Sequence, residues 1–179
     1  MIAIATAALL MQAQVPQDYF DINSVYARAC SNGALAARAG RYEPGALVPC
    51  AKAIESEPLN ALGMAQTLVN RGAIRFAGQD RAGALADFNA AIAKKPDFAV
   101  AYSNRAGVYM LARDFERARA DADRAVQLDG GNARAFLMRG GANEMLGKTV
   151  EAYLDYQMAA KLDPAWEQPK TELARFRVK

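Results

Sequence analysis

The chain predicts an all-α fold of stacked antiparallel helix pairs, and three observations lead there. First, three consecutive segments align without gaps on a 34-residue period, starting at Ala65, Ala99 and Ala133. Second, each segment carries small residues at the same three places: Gly72, Ala106 and Gly140; Ala84, Ala118 and Ala152; Ala91, Ala125 and Ala159. Residues without bulk at fixed points let two helices approach closely, one helix in each half of a segment. Third, 53% of the residues are apolar, 8% are aromatic, and alanine dominates, which suits helices better than strands.

In chain order, residues 1–13 (MIAIATAALLMQA) form an apolar, uncharged run too short to span a bilayer. Its apolar stretch and small residues read as a secretory signal segment with a cut after Ala13, although no Lys or Arg precedes it. An ordinary N-terminal helix is the alternative. The expected localisation is periplasmic or secreted, with the cytoplasm as the alternative. Residues 14–60 are expected to hold a degenerate helix pair, with Ala34, Ala46 and Ala53 at the three small positions and four extra residues before the next segment. Its first helix is expected over about 22–38. Its second is confined to about 46–57, because Pro44 and Pro49 are tolerated only in a first turn. If Ala34 faces Ala46 across the antiparallel pair, then Cys30, four residues back, and Cys50, four residues forward, face one another too. A disulfide is expected between them, with two buried free thiols as the alternative.

The regular segments, 65–98, 99–132 and 133–166, place helices near 65–78, 81–94, 98–112, 115–128, 132–146 and 149–162. Pro96, Gly130 and Pro164 end the second helix of each pair. Residues 165–179 are expected to form a capping helix. Leu173 and Phe176 would lie on one face over the apolar side of the last segment, with Trp166 as an anchor.

On these residues, and on stretches such as AYSNRAGVYMLARDFERARADADRAV and AFLMRGGANEMLGKTVEAYLDYQMAAKLDP, the chain resembles the tetratricopeptide repeat (TPR) family. The resemblance is close over residues 65–164 and loose over 27–60. It implies a TPR-like α-solenoid: a right-handed superhelix of about four helix-turn-helix pairs plus a C-terminal capping helix. It also implies that the sixth position of each repeat, held by Asn32, Asn70, Asn104 and Met138, lies on the concave face. Phe76, Met110, Leu111, Arg134, Leu137 and Met145 are the neighbouring groove positions. Asparagine can donate to and accept from the backbone of an extended peptide, and Met and Leu side chains adapt to varied partners. The competing reading is that several of these residues pack between neighbouring first helices. One family variant grips the C-terminal carboxylate of chaperones through five positions. Asn104 and Arg134 match two of them; Val69, Ala73 and Met138 depart at the others, which argues against chaperone-tail binding.

The seventh position of each regular repeat is arginine (Arg71, Arg105, Arg139) and the twenty-third is aspartate (Asp87, Asp121, Asp155). The constant offset favours a ladder of structural ion pairs, within or between repeats, over a basic strip for an acidic partner. Net charge is +3 with both signs interspersed, which gives little support for nucleic acid. The absence of histidine removes the commonest general base and metal ligand. No phosphate-binding glycine loop, nucleophile elbow or metal-ligand spacing is present. The chain is therefore expected not to be an enzyme, with no catalytic residue, cofactor, metal or stable membrane span. Its expected function is a protein–protein interaction scaffold that holds a peptide segment or partner protein of unknown identity in the groove. The alternative is a structural subunit of a bacterial envelope or secretion assembly that docks by its edges. Self-association is left open.

Overall fold

The computed structural model describes residues 24–176; the signal-segment expectation at 1–13 lies outside them. Among the described residues there are nine α-helices, one 3-10 turn and no strand. They fall into two compact units, the first ending at Asn104 and the second starting at Arg105. The boundary lies inside a helix, whereas the repeat frame places one at residues 98 and 99.

The first unit holds α1 (Val25–Arg38), the 3-10 turn (Pro44–Ala46), α2 (Leu47–Ser56), α3 (Ala61–Ala77), α4 (Arg81–Lys94) and the start of α5 (Ala99–Leu111). Helix α1 packs on α2 and α3, α2 on α3, and α3 on α4. The start of α1 is capped twice. Ser24 Oγ accepts from the Ala27 N–H, and Glu57, just past the end of α2, accepts from the N–H groups of Tyr26 (2.9 Å) and Ala27 (3.2 Å) and from the Ser24 hydroxyl. A carboxylate at a helix N-terminus satisfies donors that the helix cannot, so Glu57 ties the two helices at one end.

Where α1 passes the 3-10 turn, Gly33 lies against Ala46. A Cβ on Gly33 would lie 2.6 Å from the Ala46 Cβ, so only glycine fits there. Ala34 is buried beside it in a small core with Cys30, Ala37, Cys50 and Ile74. Cys30 and Cys50 are bonded, with Cα atoms 4.6 Å apart. Helix α3 begins four residues before the expected start at 65. Asn60 Oδ1 accepts from the Gly63 N–H at 2.8 Å, and the four extra residues become one more turn. A turn takes 3.6 residues, so this insertion leaves the buried face of α3 nearly in register.

The second unit holds the rest of α5, then α6 (Phe115–Leu128), α7 (Ala133–Met145), α8 (Thr149–Leu162) and α9 (Glu167–Phe176). Helix α6 packs on α7, α7 on α8, and α8 on α9. The Phe176 ring meets Tyr153 and Tyr156 edge-on, at centroid distances of 5.7 and 5.9 Å. Trp166 and Leu173 are half-buried, and Pro169 is the residue of α9 that is fully covered. Pro169 sits in the first turn, where its missing N–H breaks no helical bond.

The repeat frame shows compensation at the helix–helix contact. Gly72 lies against the Phe88 ring and Gly140 against the Tyr156 ring; a Cβ on either glycine would come within 2.6 and 2.8 Å of a ring carbon. In the middle repeat the same two positions are Ala106 and Ala122. A large side chain on the second helix therefore goes with glycine on the first, and a small one with alanine. Between paired helices the chain turns through a left-handed residue each time: Gln79 (φ 66°), Arg113 (φ 60°) and Gly147 (φ 77°). The next residue caps the second helix where it is acidic: Asp80 accepts from the Gly83 N–H and Asp114 from the Arg117 N–H.

Candidate functional site

The Arg–Asp ladder is made of close pairs. Arg71 binds Asp87 through Nε and Nη2, with a shortest distance of 2.6 Å. Arg105 binds Asp121 at 2.7 Å, and Arg139 binds Asp155 at 2.8 Å. Each pair bridges the two helices of one repeat. Arg139 also reaches back to Asp123 on α6 at 2.8 Å, so at this point the ladder runs within and between repeats alike. The carboxylates are buried, with Asp87 2% exposed. Bonding to Asp155 raises the Arg139 guanidinium above its ordinary pKa, against the lowering effect of its partial burial.

The sequence reading missed the second partners. Arg75 binds Asp87 at 2.9 Å, and Asn143 donates to Asp155 at 3.0 Å. Both stand four residues after the ladder arginine, on the same helical face, and that spacing was the available signal. Tyr156 donates to Glu144 at 2.8 Å, and Arg175 of α9 pairs with the same carboxylate. Burial first, and the Glu144 charge second, push the Tyr156 hydroxyl well above the ordinary tyrosine value. Burial lowers the Arg38 guanidinium to about 10.

The expected groove residues are distributed differently from the expectation. In the first unit Asn70, Phe76 and Asn104 are buried, with Asn104 1% exposed. In the second unit Arg134, Leu137 and Met138 are buried, Met110 and Leu111 are half-buried, and Met145 is exposed. Six of these nine side chains therefore do not form an open lining. In the second unit the cause is packing between first helices. Met138 Sδ is 3.8 Å from where a Cβ on Gly107 would stand, and Met110 Cε is 3.2 Å from the same point on Gly141. Asn104 keeps a distinct feature. Its Nδ2 donates to the Val100 carbonyl at 3.0 Å, and its Oδ1 has no hydrogen-bond partner among the described residues.

Among the described residues no cluster of His, Cys, Asp and Glu could hold a metal ion, and no helix is long and apolar enough to cross a membrane. No protein-family model matches the chain. Serine/threonine-protein phosphatase 5 of Homo sapiens is 30% identical over 122 residues, which are 67% of this chain and 24% of the phosphatase. Tetratricopeptide repeat protein 36 of Homo sapiens is 35% identical over 109 residues, 59% of this chain and 58% of that protein. The chain thus spans between a quarter and somewhat over half of these curated relatives. The second TPR domain of human RPAP3, solved in complex with the HSP70 peptide SGPTIEEVD, superposes with a TM-score of 0.61 at 31% identity, covering 67% of this chain and 100% of that domain. With a whole repeat domain matched at that identity, on helices that carry the 34-residue period and its small-residue contacts, the chain belongs to the tetratricopeptide repeat family.

Proposed function

We propose that this chain is a protein-interaction scaffold that holds an extended segment of its partner through main-chain hydrogen bonds to the sixth-position asparagines. The carrying observation is Asn104, whose buried amide leaves Oδ1 unmatched. A buried acceptor without a donor costs about 1–3 kcal/mol; in this reading binding uncovers Oδ1, and a backbone N–H of the bound segment supplies the donor. Asn70 stands at the same position one repeat earlier. Val69, Ala73 and Met138 are apolar at three of the five chaperone-tail positions that the family resemblance assigns, so the segment favoured here is not of the SGPTIEEVD kind that the RPAP3 domain holds. The Arg–Asp ladder has a structural role in this reading, because every ladder arginine is already engaged by a buried carboxylate. The envelope-subunit alternative draws no support from the relatives. The phosphatase match spans too little of that enzyme to bring its activity to this chain.

Peptides selected on the full chain from a displayed random library test the proposal. Asn70→Ala combined with Asn104→Ala is expected to weaken the selected peptides at least about tenfold while the chain stays folded by circular dichroism. A library that yields no binder, or binders indifferent to the double substitution, would overturn it.

The Cys30–Cys50 bond favours an oxidising compartment and with it the export reading. Intact mass of the protein recovered from fractionated host cells tests this. A chain beginning after Ala13 in an exported fraction agrees, and an uncut N-terminus in the cytosol contradicts it.

A further inference from the structure

The first helix pair is closed differently from the three that follow it. Each regular pair carries a ladder ion pair, with its arginine one residue before the first small position and its aspartate three residues after the second. In the first pair those two places hold Gly33 and Pro49, so the rung is missing. A second difference stands beside it. Four residues after the second small position, two of the regular pairs have a large buried side chain, Phe88 and Tyr156. Four residues before the first, the regular pairs have Leu68, Tyr102 and Phe136. At these same places the first pair has Cys30 and Cys50, bonded to one another and fully buried.

The close approach of α1 and α2 explains why little else can hold them. The Cα atoms of Cys30 and Cys50 are 4.6 Å apart, and Gly33 leaves no room for a Cβ beside Ala46. Backbones this near exclude large side chains between them. The core around the bond is small in consequence: Ala34, Ala37 and Ile74, with Ala46, Leu47 and Ala77 packed against it. Ile74, its bulkiest member, belongs to α3. At the far end Glu57 ties α2 to the start of α1. Breaking the disulfide returns loop entropy to the chain between residues 30 and 50, and few buried apolar groups within the pair offset it.

We infer that the Cys30–Cys50 bond makes the first helix pair redox-conditional. Oxidised, α1 and α2 lie folded on α3. Reduced, they open locally and bare the α3 face around Ile74, while α3 and α4 stay together. Reduction takes two electrons and two protons from a dithiol, whose own sulfurs close into a disulfide, and leaves Cys30 and Cys50 as thiols. The α3–α4 pair keeps its fold because its closure is not covalent: Arg71 and Arg75 hold Asp87, and Phe88 fills the space against Gly72.

Hydrogen–deuterium exchange of the full chain, read on peptides by mass spectrometry with and without about 10 mM dithiothreitol, tests this. Intact mass after alkylation counts the thiols released. In the reduced chain, amides of residues 25–38 and 47–56 are expected to exchange at least about 100-fold faster, the factor that opening a loop of this size implies. Amides of residues 81–94 are expected to stay within about threefold of their oxidised rates. Cys30→Ala combined with Cys50→Ala is expected to show the fast exchange in α1 and α2 without reductant, and no response to it. A bond that dithiothreitol leaves intact in the folded chain, or protection of α1 and α2 that survives reduction or the double substitution, would overturn the proposal. Loss of protection in α4 together with α1 and α2 would do so as well, because the bond would then hold the fold as a whole.

Discussion

Gly72 and Gly140 are held to glycine by what stands opposite, the Phe88 and Tyr156 rings. Gly72→Ala is expected to lower stability by about 1–2 kcal/mol, since the clash outweighs the gain in helix propensity. In a Phe88→Ala background the sign should reverse, because the pair then copies Ala106 and Ala122 of the middle repeat. Denaturant melts of the four proteins in this cycle check both signs. The ladder allows a second comparison. Asp87 is shared by Arg71 and Arg75, while Asp121 is held by Arg105 alone among the ladder positions. Arg105→Met should therefore cost about 3 kcal/mol, and Arg71→Met about half as much, when unfolding is followed in urea. Tyr156 gives a dependence on pH. Its folded pKa is raised above the unfolded value, so its contribution is fully present below about pH 10 and is lost as pH climbs beyond that. Tyr156→Phe should make the alkaline decline of the unfolding midpoint shallower.

At the scale of elements, the turns carry strain that the sequence hides. Gln79 and Arg113 adopt a left-handed conformation that Gly147 adopts freely at the third equivalent turn. Gln79→Gly is expected to stabilise the chain by about 0.5–1 kcal/mol, measured by thermal unfolding. The helix pairs themselves were legible because a 34-residue period, small contact residues and helix stops agree. The observed bounds of α4, α6 and α8 are those the spacing predicts. The start of α3 was not legible, because the expectation began at the repeat frame and ignored Asn60 as a cap. The tight approach of Gly33 to Ala46 was not legible, because the frame for this pair assumes a regular second helix and a 3-10 turn stands at Pro44–Ala46.

For the whole molecule, the family and the all-α architecture could be read from periodicity, and the burial of the supposed groove could not. Sequence spacing assigns a face to Leu137 and Met138 but does not say whether a neighbouring helix already covers it. Gly107 and Gly141, which admit Met138 and Met110, decide that. In the reading proposed above, the asparagine series is the recognition element, and Asn104 above all, because its Oδ1 has no partner among the described residues.

The most direct test is therefore an NMR titration of the full chain, labelled on its asparagine side-chain amides, with a library-selected peptide. The account predicts that the Asn104 side-chain resonances shift in step with saturation and gain protection from solvent exchange. Saturated binding that leaves the Asn104 and Asn70 amides unmoved would contradict it.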